Sequence, residues 1–492
     1  MEIPSERREM SIHNRQGLLT NNEWSLFKGR GRIPLPFLFG APGRAPIPGD
    51  ESRLRTLMKN VLAYLVSILG ILLLPLGCGD SKGGPIWTVM VYMAGDNNLS
   101  SSLLQDLDEM EVIGSTDNVN VVVQIDTLTG TTKRLLVKRG ESTLLEDLGE
   151  ENMADPATLT NFIIWAKTHY PARQYALILS SHGDGLAKRL PIHQTISQAR
   201  ILQDDTDNVS CCLSNVLVRQ AIEESDVNFD LIGFDASQMG QIETAYEFKE
   251  LADIIVFSQE TGQASGWDYT AILRALANSP DMDGDELAIE IVDGYSSFYE
   301  DIFYSQNPSI EQYLTISAIH LGDNINTLSD KVNQVSEMMI DVLNSEDQEI
   351  RELLVDAVTT ARAQSQELNP YTTPYVYVDL MDFMNKLHDV LKQEAELPLT
   401  LVQIEERIEE ILALIETVIL SEYHGNARPE SNGLSISFFR FPEAVDYRTY
   451  DSNYKDYNPE TSEGSKVRFI NDTKWDEFLQ TYYVKAGFIT VP

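Results

Sequence analysis

YALILSSHGDGL (175–186) and LIGFDASQMG (231–240) decide the reading of this chain. Each opens as an apolar run of the kind that forms a strand buried on both faces. Each then breaks into small residues, Ser-Ser-His-Gly-Asp-Gly in one and Asp-Ala-Ser in the other. A strand that ends in a tight turn of small residues exposes a side chain there and leaves backbone N–H groups to hold an oxyanion. His182 and Ser237 stand just past these two ends, fifty-five residues apart.

Working outward, WTVMVYM (87–93), VNVVVQID (119–126) and DIIVFS (253–258) read as further buried strands, and KRLLVK (133–138) as one with polar outer positions. Helical spacing fills the gaps, from Asn98 or Ser100 to about 113, and over 158–170, 213–225 and 239–251. Strands alternating with helices predict an α/β fold, a mainly parallel sheet flanked by helices. Such sheets carry their functional groups at the carboxyl ends of the strands. The second half is richer in helix, with patterns over about 285–302, 326–345, 348–367, 379–393 and 401–421, and strand-like runs at 314–320, 375–379 and 434–439. The predicted organisation is therefore a core over 87–270 and a helix-rich C-terminal region over 271–492 that completes the domain.

Composition narrows the function. Of 492 residues, 43% are apolar and 23% charged, enough to bury sizeable cores. The net charge of −38 excludes nucleic acid as the main partner, because phosphate binding needs a basic surface. It favours cationic partners, metal ions or basic peptides. Three cysteines, Cys78, Cys211 and Cys212, make no disulfide framework, and no Cys/His spacing reads as a zinc site.

The N-terminal residues have a different logic. VLAYLVSILGILLLPL (61–76) is uncharged, short for a membrane span, preceded by Lys59 and followed by Gly77-Cys78. This is the plan of an export signal. The PLGC ending resembles a bacterial lipobox, so 58–77 reads as a lipoprotein signal peptide, Cys78 as the lipidated residue that anchors the chain to a membrane, and 78–86 as a tether. Met58 is a natural start, and the Pro/Gly/Arg-rich residues 1–57 are expected to be untranslated or disordered. The expected location is the cell envelope.

A nucleophile that follows Ala, with its histidine about 50 residues upstream, is the caspase order. Here Ser stands where that order has Cys. With WTVMVYMAGDNNL (87–99), SQETGQASGWDY (258–269) and GLSISFFRFP (433–442) added to the two strand-end motifs, the chain resembles the clostripain family of cysteine peptidases, which have a caspase-like fold. The resemblance implies that His182 is the catalytic histidine, that Ser237 occupies the nucleophile position, and that the N–H groups of Gly183 and Ser237 form the oxyanion hole. It implies that Asp235 lines the pocket for the residue before the scissile bond, with Asp268 as a second acid. Two carboxylates there favour Arg or Lys. It also makes calcium a candidate ligand, with no site assigned. Serine is a far weaker acid than cysteine and needs a base that a carboxylate orients. Two functions follow: an endopeptidase for basic peptides, or an inactive homologue that binds basic peptides or an envelope partner.

The remaining features read as structural. Residues 279–290 resemble a calcium loop in placing Asp281, Asp283, Gly284 and Glu290, but Ser279 holds position 1 and Glu286 position 8, and a turn capping a helix explains them. Cys211 and Cys212 read as half-buried loop residues, Trp267 as a packing or pocket-wall aromatic, and Asp204, Asp205 and Asp207 as solvated charge. His169, His193, His320, His388 and His424 share no motif with a nucleophile.

Overall fold

The computed structural model describes residues 84–183, 185, 201–204, 212–368, 377–439 and 467–489. The expectations for Cys78, the signal segment, His193, Asp205, Asp207 and Cys211 lie outside them. Among the described residues no helix is long and apolar enough to cross a membrane.

The strands are β1 (Trp87–Gly95), β2 (Val119–Thr127), β3 (Thr132–Lys138), β4 (Glu141–Gly149), β5 (Gln174–Ser180), β6 (Ile201–Gln203), β7 (Cys212–Leu213), β8 (Phe229–Asp235), β9 (Ala252–Phe257), β10 (Thr315–His320), β11 (Glu367–Leu368), β12 (Tyr377–Asp379), β13 (Ile419–His424) and β14 (Ser435–Ser437). Nine of them form one sheet in the order β13-β10-β9-β8-β5-β1-β2-β3-β4. The middle five, β9 to β2, are parallel, and antiparallel pairs close both edges. This is the α/β, mainly parallel arrangement that the apolar runs predict.

The helices are α1 (Ser100–Ile113), α2 (Pro156–His169), α3 (Asn215–Ser225), α4 (Ile242–Phe248), α5 (Tyr269–Asn278), α6 (Gly284–Ser297), α7 (Asp323–Leu343), α8 (Gln348–Gln364), α9 (Leu380–Lys392), α10 (Leu399–Val418), α11 (Arg468–Asp472) and α12 (Trp475–Lys485). Every residue of β1 is buried. Its side chains alternate between two cores: Val89, Val91 and Met93 pack with α1, α5 and α6, and Met90, Tyr92 and Ala94 with the other face, which carries α2 to α4 and the C-terminal helices. A strand buried on both sides has no polar positions to spare, hence the unbroken WTVMVYM. Truncating one such side chain, Phe234 for example, costs about 3–5 kcal/mol.

The structure differs from the sequence reading in several elements, and α5, β6 and α11 have no counterpart there. β4 has no counterpart there either, because its exposed and half-buried positions give an edge strand with few apolar anchors. Residues 419–421 belong to β13 rather than to the preceding helix. The 285–302 helix divides into α6 and a π-helical turn, Phe298–Tyr304.

Candidate active site

The pairing of β5 with β8 places Ser180 opposite Asp235. His182 and Ser237 each lie two residues further along parallel strands, so they emerge side by side and line the same cavity. Glycine is required between them: a Cβ on Gly183 would stand 2.4 Å from the Ser237 carbonyl oxygen. Beyond Ser237 the chain turns through Gln238, which takes a left-handed φ of 60° without being glycine. Such strain costs about 1–3 kcal/mol and persists where the surroundings impose it. Here the Gln238 N–H donates to the Glu260 carbonyl (2.9 Å) and its side-chain amide to Thr261 (3.2 Å).

His182 Nε2 lies 2.8 Å from Asn98 Oδ1. With the amide oxygen as acceptor, Nε2 carries the proton and Nδ1 is the basic nitrogen. Asn98 comes from the loop after β1, the other neighbour of β5. Asn97 shapes that loop: it is buried, donates to the Ala94 carbonyl (2.9 Å) and accepts from the Leu99 N–H (2.8 Å). Ser237 Oγ accepts a hydrogen bond from the Gly262 N–H at 3.1 Å.

The cavity has a volume of ≈310 Å³ and includes Asp106, Asp235, Gly266 and Trp267. Ligand pockets run from about 300 to 1,000 Å³, and this one lies at the small end of that range. Asp235 Oδ2 accepts from Tyr269 Oη (3.0 Å) and the Trp267 N–H (3.4 Å). Its partner acid is Asp106 of α1, which is 2% exposed. A Cβ on Gly266 would meet both carboxylates, at 2.8 Å from Asp235 Oδ2 and 3.4 Å from Asp106 Oδ2. Burial pushes the Asp106 carboxyl up to about 9, and the charge of Asp235 adds to the effect. Burial also pushes Asp235 up, to about 6, against the hydrogen bonds from Tyr269, Trp267 and Ser180.

Asp268, expected as the second pocket acid, does other work. It is the N-cap of α5, accepting from the Ala271 N–H at 2.8 Å, and it does not line the cavity. The acid in its place, Asp106, was missed, although it carried a signal: it shares the buried face of α1 with Leu103, Leu107 and Met110. Asn98 was read only as a possible helix cap.

The other readings resolve simply. Asp283 forms a reciprocal capping box with Glu286 at the start of α6, and so the 279–290 segment is a turn and a cap. Cys212 is half-buried in β7 and does not line the cavity. Asp204 is buried, not solvated, and its Oδ2 accepts from the Met153 N–H at 2.6 Å. Trp267 fills both roles, as a buried wall of the cavity that packs over Gly233. His169 meets the Trp165 carbonyl, His388 pairs with Glu405 and Glu409, and His424 with Glu422.

A segment from the C-terminal half holds the cavity wall in place. Arg428 pairs with the buried Glu260, and Thr315 Oγ1 accepts from the N–H groups of Gln259 and Glu260 (3.0 and 3.1 Å). The Gln259 side chain donates to Asp379 (3.0 Å) and accepts from the Gly433 N–H (3.1 Å).

A parallel sheet with His and Ser at adjacent strand ends over an acidic cavity defines a caspase-like α/β protein of the peptidase type. Residues 91–482 match the family described as the clostripain family, Peptidase_C11, and the chain belongs to it. Over 217 residues it is 26% identical to clostripain of Hathewaya histolytica, a match covering 38% of this chain and 41% of that relative. The matched part thus spans less than half of the curated relative. A secreted C11 cysteine protease from Bacteroides thetaiotaomicron, solved with an irreversible peptide inhibitor, shares the fold with a TM-score of 0.55, at 20% identity over 76% of this chain and 99% of that one. An inactive zymogen C11 protease from Parabacteroides distasonis gives a TM-score of 0.53 with the same identity and coverage.

Proposed function

We propose that this chain is an exported, lipid-anchored member of the clostripain family whose cavity captures the Arg or Lys side chain of a peptide, with Ser237 making hydrolysis slow or absent. The observation that carries the proposal is the pairing of Asp106 with Asp235 beneath His182 and Ser237 in one cavity. A guanidinium or ammonium buried there meets two carboxylates, which offsets its desolvation. The peptide carbonyl then lies over Ser237, and the N–H groups of Gly183 and Ser237 serve as its oxyanion donors.

In the hydrolytic step, His182 Nδ1 takes the Ser237 hydroxyl proton as Oγ attacks the carbonyl carbon. The proton then passes to the leaving amine. The neutral amide of Asn98 orients the ring, which suits a cysteine whose thiolate is accessible. A serine needs more: in serine peptidases, replacing the orienting aspartate by asparagine lowers kcat about 10⁴-fold. Export is supported by the 61–76 segment with Cys78, and by the description of a structural neighbour as secreted.

The test is hydrolysis of Arg and Lys reporter peptides by wild type, Ser237→Ala and Ser237→Cys. The expected result is a Cys variant at least 10³-fold above wild type, with wild type within a few-fold of the Ala variant. Wild-type turnover far above Ser237→Ala would establish a working serine peptidase instead. Failure of all three to bind the basic peptides would remove the pocket assignment.

A further inference from the structure

We infer that the backbone N–H of Gly262 is a further catalytic group, one that stabilises negative charge on Ser237 Oγ rather than on the substrate carbonyl. It lies 3.1 Å from Oγ and donates to it. The N–H groups of Gly183 and Ser237 face the peptide oxygen in the proposed reaction, so this donor is additional to them and acts on the nucleophile itself. The inference rests on reading Ser237 as the nucleophile position. Its test reads ionisation, so it stands or falls separately from peptide binding and turnover.

The backbone explains the donor's position. The segment after β9 runs antiparallel to the turn beyond Ser237: the Gly240 N–H donates to the Ser258 carbonyl (2.8 Å) and the Gln238 N–H to the Glu260 carbonyl (2.9 Å). One further step brings Gly262 level with Ser237. The three N–H groups before it go to other acceptors, those of Gln259 and Glu260 to Thr315 Oγ1 and that of Thr261 to the Glu260 carboxylate (3.3 Å). Each main-chain donor in such a run needs an acceptor, and that of Gly262 goes to the nucleophile. Arg428 pairs with the same Glu260 carboxylate, so the donor is aimed from a fixed frame. Glycine also keeps the space above Oγ clear. Gly262 does not take a left-handed φ, and a Cβ there would meet nothing closer than Ser237 Oγ, at 3.9 Å. Neither backbone conformation nor packing demands glycine, but a side chain would stand over the nucleophile, where the scissile peptide lies.

The chemistry uses the donor twice. As Oγ attacks, its proton passes to His182 Nδ1, the Oγ–C bond forms and the carbonyl π pair moves onto the peptide oxygen. In deacylation, water attacks the ester carbon and gives a proton to His182. The Oγ–C bond then breaks with its electron pair returning to Oγ, and the imidazolium protonates it. Oγ carries developing negative charge in both steps, and a hydrogen bond to the charged form favours it. The Gly262 N–H keeps its own proton throughout. A thiol in the same place gains in the same way, as a lowered pKa.

The experiment uses the full chain carrying Ser237→Cys, with Gly262 replaced by glycolate during cell-free translation. That exchange turns the N–H into an ester oxygen and leaves the shape of the chain unchanged. Alkylation by iodoacetamide at position 237, read by peptide mass spectrometry, is followed from about pH 4 to 10. The expected result is a thiol pKa about one unit higher in the ester protein, seen as roughly tenfold slower alkylation below the pKa. Gly262→Ala, which keeps the N–H, is expected to leave the thiol pKa in place and to weaken Arg-peptide binding. An ester protein with the parent's thiol pKa, or Gly262→Ala raising it as far as the ester does, would overturn the catalytic role. Undiminished peptide binding by Gly262→Ala would overturn the steric one. If the ester protein does not fold, glycine-labelled wild type and Ser237→Ala are compared by amide resonances. The Gly262 signal is expected to move upfield on loss of its acceptor while that of Gly240 stays, and an unmoved Gly262 signal would sink the hydrogen bond on which the proposal stands.

Discussion

Binding of an Arg peptide should expel a proton from the Asp106–Asp235 pair. With Asp106 near 9 and Asp235 near 6, the empty pair holds one proton at pH 7. A guanidinium about 4 Å from Asp106 contributes about 4 kcal/mol at an effective dielectric of 20, equivalent to about three pKa units. That brings Asp106 down to about 6, so close to one proton leaves per peptide bound at pH 7. Between pH 7 and 8.5 the affinity should climb almost tenfold per pH unit, or about 1.4 kcal/mol. The assay is calorimetry of an N-acetylated Arg peptide with Ser237→Ala, in buffers of different ionisation enthalpy. Working above pH 7 keeps histidine titration out of the slope. Asp106→Asn should bind without proton release. A flat affinity and no proton release in the Ser237→Ala protein would refute the reasoning, because a cation seated beside the protonated Asp106 carboxyl should lower its pKa and drive the proton off.

The same pair makes a stability prediction. Asp106 is held above its unfolded value, so the folded state binds the extra proton and stability declines as pH rises from about 4 to about 9. Asp106→Asn should therefore raise Tm, more at pH 8 than at pH 5. Gly266→Ala puts a methyl against both carboxylates at a φ of +57°; it should weaken Arg-peptide binding about 10- to 150-fold and cost about 1–2 kcal/mol of stability. Binding titrations and denaturant melts separate the two effects. Asn98→Asp supplies a charged orienter and should raise hydrolysis by the natural Ser237 at least tenfold in single-turnover assays; no change would mean that the ring's orientation does not limit the serine.

The legible parts of the sequence were those where one physical demand dominates. Strands buried on both faces must be continuously apolar, so β1, β2, β5, β8 and β9 announce themselves, and their ends locate His182 and Ser237. β4 was opaque because an edge strand is free to be polar, and β13 because apolar residues run on without a break from α10. Asn98 and Asp106 were hidden for a different reason. Their roles come from strand order and helix packing, which bring residues 84 and 129 positions away against His182 and Asp235. Asp106 at least left a trace, an acid on an apolar helical face. The choice of Asp268 failed because an Asp that opens a helix is satisfied locally by the backbone it caps.

The pinning of Gln259 and Glu260 by Asp379, Arg428 and Gly433 bears on how the protein is made. The strands carrying His182 and Ser237 emerge from the ribosome early, but the wall of the cavity that faces them waits for partners up to 174 residues later in the chain. Long-range contacts of this kind form late, after loop closure has been overcome. A chain that stops short of Gly433 thus has the strand-end residues without all the contacts that fix the facing wall of the cavity.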